Sequence, residues 1–178
     1  MPEVVEPRPA ATVILVRGGR ERLELLLVER TPRASFVAGA WVFPGGALEP
    51  RDGAGEAGLR AAALRELREE AAIALPDSDA LALFSRWITP PDLPIRFDTW
   101  FFLARAPADA QPRPDGGEIV AARWLEPAAA LDAGLKLVHP TVMTLRQLAE
   151  HDSAEQLLEH VAAGHEVRTF RPRDRHDG

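Results

Sequence analysis

Val13-Ile14-Leu15-Val16 is apolar without alternation, the pattern of a buried strand, and it predicts a first strand over Ala10 to Arg17. Gly18-Gly19-Arg20 is a turn, and Leu23 to Arg30 returns as a second strand, completing a hairpin. A loop from Thr31 to Ala40 then delivers the chain to Trp41-Val42-Phe43-Pro44-Gly45-Gly46, an apolar run that ends in a Pro-Gly-Gly turn. Pro50 to Gly58 is dense in Gly and reads as a flexible insertion, with a helix following from Leu59 to Ala72. Further strands are expected over Ala80 to Ile88, Arg96 to Ala104 and Glu118 to Leu125. Three helices close the chain. One follows Pro127 to Ala133, one runs from Pro140 to His151, and one is capped by Ser153 and ends at Gly164. Residues 1–9 and the basic stretch 168–178 are expected to be flexible. Strands interleaved with helices, and no linker, predict a single α/β domain over 1–178, a mixed sheet sandwiched between helices.

Composition narrows the partners. The chain has 178 residues, a net charge of −6 and no cysteine. The negative charge argues against a nucleic-acid backbone as partner and favours a cation as resident cofactor. Without cysteine there is no disulfide, thiolate nucleophile or zinc-thiolate site. No apolar run reaches the length of a membrane span and no leader opens the chain, so no membrane partner and a cytoplasmic location are expected.

The candidate chemistry lies in Arg65-Glu66-Leu67-Arg68-Glu69-Glu70. On a helix, Glu66, Glu69 and Glu70 share one face, while Leu64, Leu67 and Ala71 fall on the opposite stripe. Like charges at this spacing cost a bare helix about 0.2–0.5 kcal/mol per pair, and Arg65 compensates only in part. A solvated acidic face is the plain alternative. A hard divalent cation, Mg²⁺ or Mn²⁺, would give the cluster a reason, because such ions take carboxylate oxygens and substrate phosphate. Gly46 would let the backbone approach such a site closely. Arg30 and Arg33 flank the approach and could meet phosphate, although solvated arginines at a strand end are as good a reading.

Gly46, the Arg65 to Glu70 run and Ile73 resemble the Nudix box, Gly followed at fixed spacing by Glu and then Arg-Glu-aliphatic-x-Glu-Glu-x-Gly-aliphatic. The second half matches closely. The first half departs, since Gly46 and Arg65 are five residues further apart than the pattern, Ala57 stands where it has Glu, and Ala72 where it has Gly. At a left-handed helix end, Ala72 would cost about 1 kcal/mol. The resemblance implies the Nudix fold and hydrolysis of the pyrophosphate bridge in a nucleoside diphosphate derivative. It implies Glu69 and Glu70 as main metal ligands, Glu66 as ligand or base, the Gly46 carbonyl as a further ligand and Arg65 as the residue that orients the glutamates. Glu118, after Gly116-Gly117, stands where members often place a catalytic or metal-binding Glu.

The lengthened box, the Arg96-Phe97-Asp98-Thr99 run and Trp124 with Pro127 are similar to the branch that hydrolyses coenzyme A and acyl-coenzyme A. Arg30, Trp41, Phe43 and Arg96 are the residues expected against substrate. Phe36, Trp41, Trp87 and Trp100 could stack an adenine, or all be core. The partner implied is a small nucleotide, with a homodimer as an option for assembly. The rivals are a Nudix domain that senses a nucleotide without cleaving it, and an enzyme for ADP-ribose or a dinucleotide. The five histidines show no ligand spacing and read as surface residues.

Overall fold

The strand β1 (Arg8–Arg17) takes partners on both edges. Its first half pairs antiparallel with β4 (Gly45–Ala47), its last two residues pair with β2 (Glu24–Arg30), and its whole length runs parallel to β6 (Phe97–Arg105). On β2 lie β3 (Trp41–Val42) and β7 (Ile119–Leu125), both antiparallel. Beyond β6 come β5 (Ala82–Ile88), antiparallel, and β8 (Arg168–Phe170), parallel to β5. The helices are α1 (Gly55–Ala71), α2 (Pro127–Asp132), α3 (His139–Leu148) and α4 (Ala154–Ala162). The computed structural model describes residues 4–172.

Both faces of the sheet are covered, which is why the β1 run is apolar at every position. Ala11, Val13 and Leu15 pack with Leu26, Val28 and Phe102 under Leu59, Ala62, Ala63, Leu67 and Ala71 of α1. Ile14 and Val16 face the other way, with Leu25, Leu27, Phe101 and Leu103, under Leu145 and Leu148 of α3 and Ala154 and Leu157 of α4. This is the expected mixed sheet between helices. Ser153 caps α4 as predicted, its hydroxyl accepting from the Gln156 N–H at 3.1 Å. Among the described residues no helix is long and apolar enough to cross a membrane.

Three readings are corrected. The Pro50 to Gly58 segment lies at the surface as regular structure, not as a flexible insertion: Pro50–Asp52 forms a 3₁₀ turn and α1 begins at Gly55, four residues earlier than Leu59. Gly58 serves contact rather than flexibility, since a Cβ there would stand 2.7 Å from the Gly53 carbonyl carbon. At the N-terminus, Arg8 and Pro9 belong to β1 rather than to a frayed end. Arg168–Phe170 pairs with β5, so the basic stretch begins as a strand; residues 173–178 lie outside the described residues.

Candidate metal and substrate site

The acidic helix does not present its glutamates to solvent. Glu66 and Glu70 are 9% and 3% exposed, buried alongside Leu67 and Ala71, while Leu64, placed on the core stripe, is only partly covered. Only Glu69 of the three is exposed. The cause is β4, which crosses the helix so closely that a Cβ on Gly46 would collide with the Glu66 carboxylate. Gly45 adds a direct bond, its N–H donating to Glu70 Oε2 at 3.0 Å. The Pro-Gly-Gly turn therefore lies against the carboxylates because it has no side chains to keep it away.

Arg65 is the hub. It reaches Glu69 as the i, i+4 spacing predicts, Nη1 to Oε2 at 3.2 Å, and donates from the same nitrogen to Glu66 Oε1 at 2.8 Å. Its stronger partner was not anticipated. Asp52 accepts from Arg65 Nε at 2.8 Å and from Nη2 at 2.9 Å, a bidentate pair whose side chains are 9% and 4% exposed. Arg65 also donates to the Ala47 carbonyl at 3.2 Å. The guanidinium holds the Asp52 carboxyl below the usual carboxylate range, and Asp52 first and Glu66 after it raise the Arg65 pKa. Asp52 carried a usable signal: Pro50 with an acid two residues on, ahead of an alanine-rich run, is a helix-start pattern.

Burial dominates the electrostatics of the other two acids. It pushes the Glu66 carboxyl up, opposed by Arg65 and reinforced by Glu69 and Glu118. It pushes Glu70 up to about 8, against the Gly45 N–H and Arg30, with Glu66 and Glu118 adding to the rise. Glu118 stands immediately before β7. It is exposed, and its carbonyl accepts from the Thr31 N–H at 2.8 Å, which ties it to the loop after β2. Arg30, at the end of β2, donates from Nε to the Phe36 carbonyl at 3.1 Å.

The remaining substrate candidates sit elsewhere. Trp41 and Phe43 are 9% and 3% exposed and belong to the core on the α3–α4 side of the sheet, away from α1. Phe43 meets Phe101 edge-on at 6.3 Å. Arg96 is 9% exposed and spends its guanidinium on backbone, donating to the Thr89 carbonyl at 3.1 Å and to that of Val5. All three are buried in this fold. His151, His160 and His165, read as unrelated surface residues, gather on the α3–α4 side with ring centres 5.2 and 5.6 Å apart in sequence order; His176 lies outside the described residues.

The donor set at α1 fits a hard divalent cation. It is all oxygen, two of its acids are buried and repel each other, and a glycine backbone lies against one of them. Among the described residues no three acidic or histidine side chains already stand as a metal cage. Glu69 instead bonds Arg51 Nη2 at 3.0 Å as well as Arg65.

A family model described as NUDIX domain matches residues 6–145. Among solved structures, a NUDIX hydrolase from Alicyclobacillus acidocaldarius is 27% identical, with a TM-score of 0.80 over 88% of this chain and 97% of that one. The NUDIX domain of Shewanella oneidensis NrtR, solved with ADP ribose, is 20% identical, with a TM-score of 0.64 over 82% and 88%. The Ap4A hydrolase of C. elegans is 19% identical, with a TM-score of 0.56 over 82% and 97%. The last two likenesses are of fold. Among the curated proteins no relative matches this chain.

Proposed function

The chain belongs to the NUDIX domain family, and from that premise we propose that it is a metal-dependent diphosphohydrolase that cleaves the pyrophosphate linkage of a nucleoside diphosphate derivative. Nudix enzymes generally use divalent metal ions and act on small nucleotides. The observation that carries the reading is the pair of buried acids, Glu66 and Glu70, held against the Gly45-Gly46 backbone. A protein that only needed a stable helix would gain by replacing them.

In this reading Glu66, Glu69, Glu70 and the Gly46 carbonyl hold Mg²⁺ or Mn²⁺. When bound, the cation neutralises the diphosphate and lowers the pKa of an attacking water. Arg65, locked by Asp52, fixes the rotamers of Glu66 and Glu69. Arg30 meets the phosphate oxygens from the side of Glu70. Glu118, exposed at its strand end, accepts the proton of the water, and Glu66 is the alternative base.

The coenzyme A branch rests on the lengthened box, the Arg96-Phe97-Asp98-Thr99 run and Trp124 with Pro127, and within the stretch between Gly46 and Arg65 the residue in evident use is Asp52, which binds Arg65. ADP-ribose and dinucleotides, the ligand classes named for two neighbours of the same fold, therefore stand beside coenzyme A esters as substrates to test. Hydrolysis of that panel with Mg²⁺ and Mn²⁺, with products identified by mass, is the experiment. Turnover of one class that is lost in the Glu69→Gln, Glu70→Gln double variant supports the reading. Binding of a nucleotide without turnover under any metal would make the protein a sensor instead.

A further inference from the structure

We propose that His151, His160 and His165 form a second metal site, for a transition-metal ion of the zinc class, in the cleft between the C-terminal ends of α3 and α4 and the β5–β8 edge. The site is separate from the acids of α1 and does not depend on the hydrolase reading.

The cleft has a volume of about 350 Å³. Three segments bring imidazoles to it: His151 follows α3, His160 stands in the last turn of α4, and His165 lies between α4 and β8. Their order along the chain shows no ligand pattern, because a turn assembles them. Gly164, at φ 106°, reverses the chain after α4 and returns His165 toward His160. The ring centres of His151 and His160 are 5.2 Å apart, and those of His160 and His165 are 5.6 Å apart. An imidazole nitrogen lies about 2.0–2.1 Å from zinc, which at a tetrahedral angle puts neighbouring ring centres about 5 Å apart. Each pair is close to that spacing.

His165 is already fixed. Its Nε2 lies 2.9 Å from the Phe84 carbonyl, and its ring stacks on Phe84 at 4.8 Å and 6°. A carbonyl can only accept, so Nε2 carries the proton and a neutral His165 keeps its lone pair on Nδ1. Ligating histidines are held in this way, the second nitrogen bonded to a backbone carbonyl or carboxylate. The wall of the cleft also carries unsatisfied polar atoms. Ser85 is 2% exposed, and its Oγ and Gln147 Oε1 have no hydrogen-bond partner among the described residues. Water in the fourth position of a zinc-class ion is a partner such atoms can use. Glu150 and Glu166 add negative charge to the lining, and Arg168 is turned to Glu166 at 3.6 Å. Nitrogen donors set this site apart from α1: imidazole suits zinc, nickel and copper, whereas carboxylate suits magnesium and manganese.

Among the described residues no three such side chains already converge on a point. Convergence asks for rotation of His160, which neighbours both other rings and is exposed, so the motion is an ordinary rotamer change.

The test titrates metal-free protein with Zn²⁺ by calorimetry in the Glu69→Gln, Glu70→Gln double variant, with and without His160→Ala. The double variant should bind one Zn²⁺, and adding His160→Ala should weaken that binding at least about ten-fold. His151→Ala should do the same. In the otherwise wild-type chain, His160→Ala should remove a Zn²⁺-induced rise in melting temperature while leaving the melt in EDTA and the Mg²⁺-induced rise unchanged. Co²⁺ in place of Zn²⁺ should give the visible absorption of a four-coordinate nitrogen site, lost with His160. Zn²⁺ binding that persists undiminished without His160 would overturn the site, and so would its absence from the double variant, which would place zinc on the α1 acids.

Discussion

Glu70→Gln should make the metal-free protein more stable, not less. Glu70 is 3% exposed, and its carboxyl is pushed up to about 8 from an unfolded value near 4.5. A raised folded-state pKa means that the acid stabilises the fold fully below about pH 4.5. That contribution is then lost as pH climbs through 8. At about 1.4 kcal/mol per pH unit, the loss at pH 8 has a ceiling of roughly 5 kcal/mol. Relaxation of the side chain toward water leaves an expected 1–3 kcal/mol, on the order seen for buried ionisable groups after rearrangement. Glutamine keeps the oxygen that accepts the Gly45 N–H at 3.0 Å and carries no charge. In EDTA the variant should therefore melt about 2–10 °C above wild type at pH 8 and level with it at pH 4.5. With Mg²⁺ or Mn²⁺ at about 100 times Kd, wild type should gain roughly 2.7 kcal/mol by linkage and close most or all of the gap. Calorimetric melts across pH, with and without cation, read all of this. A variant that is less stable than wild type by the same amount at both pH values would refute the buried charge.

Asp52→Ala strips the bidentate partner from a buried arginine and should cost about 3–5 kcal/mol in chemical denaturation, with activity falling as Glu66 and Glu69 lose their anchor; a change below about 1 kcal/mol would show that the 3₁₀ turn is dispensable. Ala72 sits at φ 56°, ψ 31°, so Ala72→Gly should add about 1 kcal/mol to the urea stability, and a loss would contradict that geometry. Glu118→Gln should lower kcat by about 100-fold or more in steady-state assays while leaving the melting shift induced by the cation intact; unchanged kcat would transfer the base role to Glu66.

Much of the architecture could be read from local pattern because both faces of the sheet are buried and the helices carry clear start signals. The β1 and β2 runs, the Pro127 helix start and the Ser153 cap all appear where expected. The acids were found through their spacing, and Arg65 to Glu69 is a local i, i+4 contact. What escaped were features set by distant segments. Burial of Glu66 and Glu70 depends on β4 crossing α1, and the glutamates alone read as a solvated face. Asp52 looked like loop because three glycines surround it, yet Gly58 is there to let the turn lie on the helix. The burial of Trp41 and Phe43 under the α3–α4 side of the sheet, and of Arg96 against backbone carbonyls, likewise depends on packing that no local pattern displays.

The parallel pairing of β1 with β6 joins residue 8 to residue 97 and residue 16 to residue 105. On a ribosome, α1 emerges well before β6 exists, and Glu118 emerges later still. Contacts so far apart along the chain form slowly, because a long loop must close before they repay it. In that interval a bare alanine-rich helix with apolar residues on one side would be a surface for other nascent chains to stick to. Glu66, Glu69 and Glu70 on it would be hydrated at that stage and would disfavour such contacts. The charge that weighs on the finished protein would thus keep the unfinished one in water. Removing it for stability, as Glu70→Gln does in part, should show its cost in the yield of soluble protein during synthesis rather than in the melting curve.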